Sequence, residues 1–373
     1  MALTRGRRLS MAKRLGSDSL TNSAVFPPRR VGASQASFLC RATGCFWPSN
    51  STFRRSLATD KPPIISHFDM ELVLIILVAA HLLAVNLAGA GPLVAAWIDW
   101  RGARCGEAEA ATAARTLMFW SIGAAVFGMC VGGAALAVFV YRPPHTHQRY
   151  WRSAELEITE TRWWFLGAEI AFYYVCTIAA AVIWRRADRR VWVRRILAIA
   201  AGTNLLYHFP ALFTILAIMF ERRDHRGWPL DRQLYWYFLL QAETIARILH
   251  VWMSSLAVAG LSLCWIGARP SAADPAASRR VAVNGAWISL AATLLQIPIG
   301  VWLLTVLPED RTQRILSSAP IFWPAIFVAL LLMHQLAMLS IGDLSRRRIS
   351  TATLLLMIVV LLMTATLYSS RPL

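Results

Sequence analysis

Residues 70–91 read MELVLIILVAAHLLAVNLAGAG, and this stretch decides the class of the protein. One acid, Glu71, stands near its start. After it the run is apolar or small except for His81 and Asn86. About 20 apolar residues cross a bilayer as a helix. The whole chain repeats the pattern: 57% of its 373 residues are hydrophobic and 16% are charged. Soluble domains run nearer 25% charged. A soluble globular enzyme, a disordered chain and a disulfide scaffold are all excluded. No alternating ten-residue barrel pattern is present, so the spanning elements must be helices. The fold class read from the sequence is all-α, a polytopic membrane helix bundle. Eight spans are expected, at about 71–98, 117–140, 164–184, 194–220, 244–267, 283–307, 320–342 and 350–369.

The chain carries 38 Lys and Arg against 20 Asp and Glu, a formal +18. Residues 1–69 supply +8 of it and hold both lysines, Lys13 and Lys61. That segment is rich in Arg and Ser, lacks helical periodicity and has no apolar core of a signal peptide. It reads as a disordered basic segment. Because Met70 opens the first span so naturally, 1–69 is expected not to be translated in the native protein. The rest of the charge is mostly Arg between spans. Loops after spans one, three, five and seven, with their flanking residues, hold more Arg, including Arg185, Arg186, Arg189, Arg190, Arg194, Arg195 and Arg346–Arg347–Arg348. By the positive-inside rule both termini of the 70–373 part lie outside. No stacking or folded module accompanies the basic tail, so nucleic acid is not an expected partner. The lipid bilayer is.

Four histidines fall within expected spans: His81, His208, His250 and His334. Glu169 falls in the third. Ionisable groups in hydrocarbon are costly, and they default to function. Three readings stay open from the residues alone: axial ligation of haem iron, a proton or ion path, and hydrogen-bonded packing. Arg247 stands one turn before His250, where it can serve as a counter-charge or snorkel to headgroups. Asn86, Asn204, Gln241, Gln296 and Gln335, each taken singly, read as interhelical hydrogen bonds. Gly128 and Gly132 have GxxxG spacing, a close-packing signal. No CxxCH is present, which excludes covalent c-type haem. Phosphate-binding loops, HExxH and Cys/His zinc spacings are absent too.

In order and spacing these residues resemble the large subunit of cytochrome bd-type quinol oxidases. The first helix there opens with His and a small-residue stretch, as in His81-Leu-Leu-Ala-Val-Asn-Leu-Ala-Gly89. The fifth carries a basic residue three before His, as in Arg247-Ile-Leu-His250, and the fourth is similar at Gly202-Thr-Asn-Leu205. Further likeness lies at Leu295-Gln296 and Phe322-Trp323. The resemblance implies an electron-transfer protein of the bacterial inner membrane with one or two haem b groups. His81 and His250 would be iron ligands and Arg247 a further cofactor contact, with His208 and His334 as reserves. Glu169 would handle protons or contact haem. Quinol or a cytochrome c, and a second membrane subunit, would be its partners.

The chain also departs from that pattern. The Arg-x-Met that follows Phe-Trp there falls on Ile326 and Val328 here, with Met333 and His334 further along. The last-helix Glu is missing, and the loop between helices six and seven is only about 308–319. These gaps argue against a complete three-haem oxygen-reducing set, and with it against haem d. A haem-free transporter or proton-conducting protein and a structural membrane subunit are the alternative readings.

Overall fold

The computed structural model describes residues 67–141, 160–185, 191–221, 230–269 and 274–369. The described residues form ten α-helices and no strand. Eight of them are long and apolar enough to cross a membrane, as the hydropathy implies. These are α1 (His67–Cys105), α2 (Ala108–Tyr141), α3 (Glu160–Arg185), α4 (Val191–Glu221), α6 (Ala242–Gly267), α7 (Pro275–Val306), α9 (Ala319–Ser340) and α10 (Arg346–Ser369). Two short helices, α5 (Arg232–Leu239) and α8 (Glu309–Ser317), stand beside them. Helix α1 opens at His67, three residues ahead of the expected boundary, while the expectations for 1–66 lie outside the described residues. The segment 308–319, read as a shortened loop, is instead mostly α8, braced by an Arg314–Asp310 pair at 2.8 Å.

Between membrane helices lipid supplies no hydrophobic drive, so close approach of small residues must do the packing. Helix α1 is the centre, touching α2, α4 and α6. Its antiparallel contact with α2 runs from His81 against Gly132, through Ala84 against Gly128, to Gly102 against Ala110. The turn between the two helices is made at Gly106, whose φ of +70° suits glycine. There Glu107 N donates to Gly102 O at 2.9 Å. Glycines bring α6 and α7 closest. A Cβ on Gly260 would lie 2.6 Å from Ser289 N, and one on Gly285 would lie 2.6 Å from Gly260 O. Both obstacles are backbone, so no rotamer change relieves them. Helices α9 and α10 complete the bundle against α6 and α7 through Leu332, Leu336, Leu339 and Ile349.

This packing yields a test. Gly285→Ala should force α6 and α7 apart and cost about 1–3 kcal/mol, the range for overpacked sites. Gly300→Ala, on the same helix with nothing within 4 Å of the added carbon, should stay within about 1 kcal/mol of wild type. Unfolding of both variants in mixed detergent micelles measures the difference.

One charge assignment changes. Arg194 and Arg195, counted with the loop charge at the edge of the expected 194–220 span, lie within the first turns of α4, which begins at Val191 and carries them inside the bundle. Both bind Asp99 of α1, at 2.6 Å each. Arg195 Nη2 also donates to the Asp99 carbonyl at 3.0 Å, and Trp184 Nε1 donates to the carboxylate at 3.4 Å. Asp99 is 1% exposed. Nothing in the sequence around Asp99 distinguishes it from an ordinary helix-end acid, because its partners are nearly a hundred residues away.

Candidate functional site

His81 sits on α1 where α2 passes, and α2 meets it with glycines. His81 Nδ1 donates to the Gly128 carbonyl at 2.8 Å. The direction is forced, since a carbonyl only accepts. In a neutral imidazole the proton is then on Nδ1 and the lone pair on Nε2. A backbone carbonyl on the far nitrogen is the usual way a metal-ligating histidine is oriented. A Cβ at Gly132 would lie 2.6 Å from His81 Nδ1. The Gly128–Gly132 spacing therefore does two things: it brings α1 and α2 together and it seats this ring.

His250 lies on α6, with its Nδ1 buried and without a hydrogen-bond partner among the described residues. Its helix face is polar. Glu243, Arg247, His250 and Ser254 follow one another at intervals of four, three and four residues, which keeps them on one side of the helix. Arg247 donates to Glu243. The guanidinium is only 14% exposed, so Arg247 is neither snorkelling nor alone beside the histidine. Glu243 is buried too, at 5% exposure, and the sequence reading missed it because it falls just before the expected span. The Glu-to-Arg spacing of four was the available signal. Ser254 accepts from Gln296 Nε2 of α7 at 2.8 Å, an interhelical bond as expected of that glutamine.

Helices α1 and α6 run the same way, being the first and fifth of alternating spans. A buried hydrogen bond sets their register: Ser255 Oγ donates to Asn86 Oδ1 at 2.8 Å. That pair is 169 residues apart, the same separation as His81 and His250. Each histidine is five residues before its helix's member of the pair, hence about 7.5 Å along the axis. On regular helices this puts the two histidine positions at about the same depth. They are also turned about 140° from the contact line on each helix, so they face different neighbours and do not share one ligand position.

Glu169 of α3 lies against α4. Asn204 Nδ2 donates to it, and His208 Nε2 is 3.6 Å from its other carboxylate oxygen. The structure thus brings three separately noted residues into one cluster. His208 belongs to that cluster, with a side chain 43% exposed. His334 is on an exposed side of α9, and Met333 beside it is half-buried. Ile326 and Val328 are half-buried on the same helix. Among the described residues no three His, Cys, Asp or Glu side chains converge as a metal cluster. Two recesses flank Trp97, and no histidine lines either of them.

No known family matches the chain by sequence, and no curated protein does. By fold it is similar to the bd oxidase from Geobacillus thermodenitrificans, with a TM-score of 0.63 at 11% identity. The likeness covers 82% of this chain and 86% of the other. The remote resemblance read from the order of His81, Gly202-Thr-Asn-Leu205 and His250 therefore holds at the level of the fold.

Proposed function

We propose that the chain is an integral membrane protein of electron transfer that binds haem b through His81 and His250. The observation that carries this reading is the hydrogen bond from His81 Nδ1 to Gly128 O, which leaves Nε2 with a lone pair. A buried, unpartnered nitrogen on His250 supports it. An imidazole in hydrocarbon prefers to be neutral, and neutral is the form that binds iron, so burial and ligation favour the same state. When bound, haem would supply reversible one-electron chemistry at its iron.

The chain's own residues define the rest. Two histidines at about the same depth, facing different neighbours, support two positions and one or two haem b groups; nothing supports haem d. Arg247, held by Glu243, keeps a cation beside the His250 face. Glu169 accepts from Asn204 and stands near His208, so a proton can be held between carboxylate and imidazole. Whether the protein is a quinol oxidase-like enzyme rests on partners: a quinol or a cytochrome c as donor, and a second membrane subunit. The place is the bacterial inner membrane, with both termini of 70–373 outside. The Glu169–His208 pair also favours a second reading, a haem-free protein that conducts protons or ions.

The test is a reduced-minus-oxidised spectrum of the full chain purified in detergent after expression with added haem. A b-type band is the expected result. A flat spectrum, together with proton flux in haem-free proteoliposomes that Glu169→Gln abolishes, would replace the first reading with the second.

A further inference from the structure

The haem reading uses one end of α1; the other end carries a different chemistry. Two apolar recesses of about 280 and 330 Å³ lie on either side of Trp97 and share Leu93. The first continues between α6 and α7 over Leu256 and Ile288. The second runs between α1 and α4, lined by Trp100, Trp192, Arg195 and Ile196 among others. Trp192 and Ile196 are more than half exposed, so this recess opens on the outer surface of the bundle. Each is a slot for an alkyl chain, and together they straddle one indole.

The polar groups beside these slots are mostly cationic. Among the described residues, Arg194 and Arg195 both bind the single carboxylate of Asp99 in a largely buried cluster. Arg195 lines the second recess itself. Arg101 donates to the neutral Asn284 and lies over the Trp97 ring, 5.6 Å from its centroid. Arg104 lies 4.0 Å from the centroid of Trp100. Arg101 and Arg104 thus stand over Trp97 and Trp100, two tryptophans that line the second recess. The next acid along the chain, Glu107, is held by Arg280 at 2.7 Å. Cationic side chains beside an apolar slot suit an anionic ligand at this helix end. Arginine and tryptophan beside apolar slots at a helix end match a headgroup with its chains.

We propose that the two recesses hold the acyl chains of one anionic glycerophospholipid, astride Trp97, with its phosphate at Arg101, Arg104 and Arg195. The arginine asymmetry assigns this end to the cytoplasmic side, where anionic lipids present their charge. The site is independent of the haem reading: it uses no histidine and lies at the opposite end of α1.

The experiment is native mass spectrometry of the full chain released from nanodiscs of phosphatidylglycerol and phosphatidylethanolamine in equal parts. Wild type should leave with one phosphatidylglycerol bound in preference to phosphatidylethanolamine, a comparison that needs no variant. The Arg101→Gln/Arg104→Gln double variant should retain roughly thirtyfold less phosphatidylglycerol, since each charge near a lipid surface is worth about 1 kcal/mol. In detergent, added phosphatidylglycerol should raise the unfolding temperature of wild type more than that of the variant. Equal retention of the two lipids by wild type would overturn the anionic assignment. Unchanged phosphatidylglycerol retention in the variant would remove the arginines from the site.

Discussion

His250→Ala should abolish one b-type component of the reduced-minus-oxidised spectrum and leave the component belonging to His81; His81→Ala should do the reverse. The expectation comes from the helix register. The Asn86–Ser255 bond places the two histidine positions at about the same depth, yet each is turned well away from the line joining its helix to the other. They therefore hold separate groups. An alanine methyl cannot ligate iron, so the loss at each site should be nearly complete. Extractable haem should fall by about half in a two-haem protein, because two independent sites respond separately. Size-exclusion behaviour and helical circular dichroism should be unchanged, which separates lost ligation from lost fold. If both single variants kept the full wild-type spectrum, the assignment of these two residues would fail even though the chain bound haem. Gly132→Ala should act on the His81 component alone, since its Cβ would press on that ring.

Asp99→Ala should be the most destabilising single substitution in the bundle, costing about 3–5 kcal/mol, the usual effect of removing one partner from a buried ion pair. The carboxylate is 1% exposed and accepts from Arg194, Arg195 and Trp184. Without it two largely buried guanidinium groups face each other with no carboxylate between them. That is a worse state than the absence of a bond: like charges repel in a region of low dielectric. Adding Arg194→Met to Asp99→Ala should therefore recover part of the loss, because the double variant buries one fewer unpaired charge. Unfolding of wild type, both single variants and the double variant in mixed micelles measures that coupling. A loss under about 1 kcal/mol for Asp99→Ala would mean that water reaches the cluster and screens it.

The eight spans were legible because the bilayer imposes length and polarity on every crossing helix, and each run of about 20 apolar residues states this locally. Gly128 and Gly132 were legible as a contact for the same reason: the signal is a spacing within one helix. Glu243 could have been found from its four-residue step to Arg247. Arg194 and Arg195 show the opposite case. Their sequence context reads as loop charge, and only α1 packed against α4 turns them into buried partners of Asp99. Glu169, Asn204 and His208 were each visible, but not as one cluster, because α3 and α4 had first to be laid side by side.

By itself the sequence determined an all-helical membrane protein with eight crossings, the histidines placed in hydrocarbon, and the order and spacing that resemble a bd-type large subunit. These follow from local composition and period, which the solvent of each segment dictates. The tertiary structure decided which nitrogen of His81 keeps its lone pair, that His81 and His250 stand at about the same depth but face apart, and where α4 hides its arginines. Hydrogen bonds and ion pairs between distant helices depend on register and rotation. Neither is written into any one helix; both arise only when small residues let two helices close.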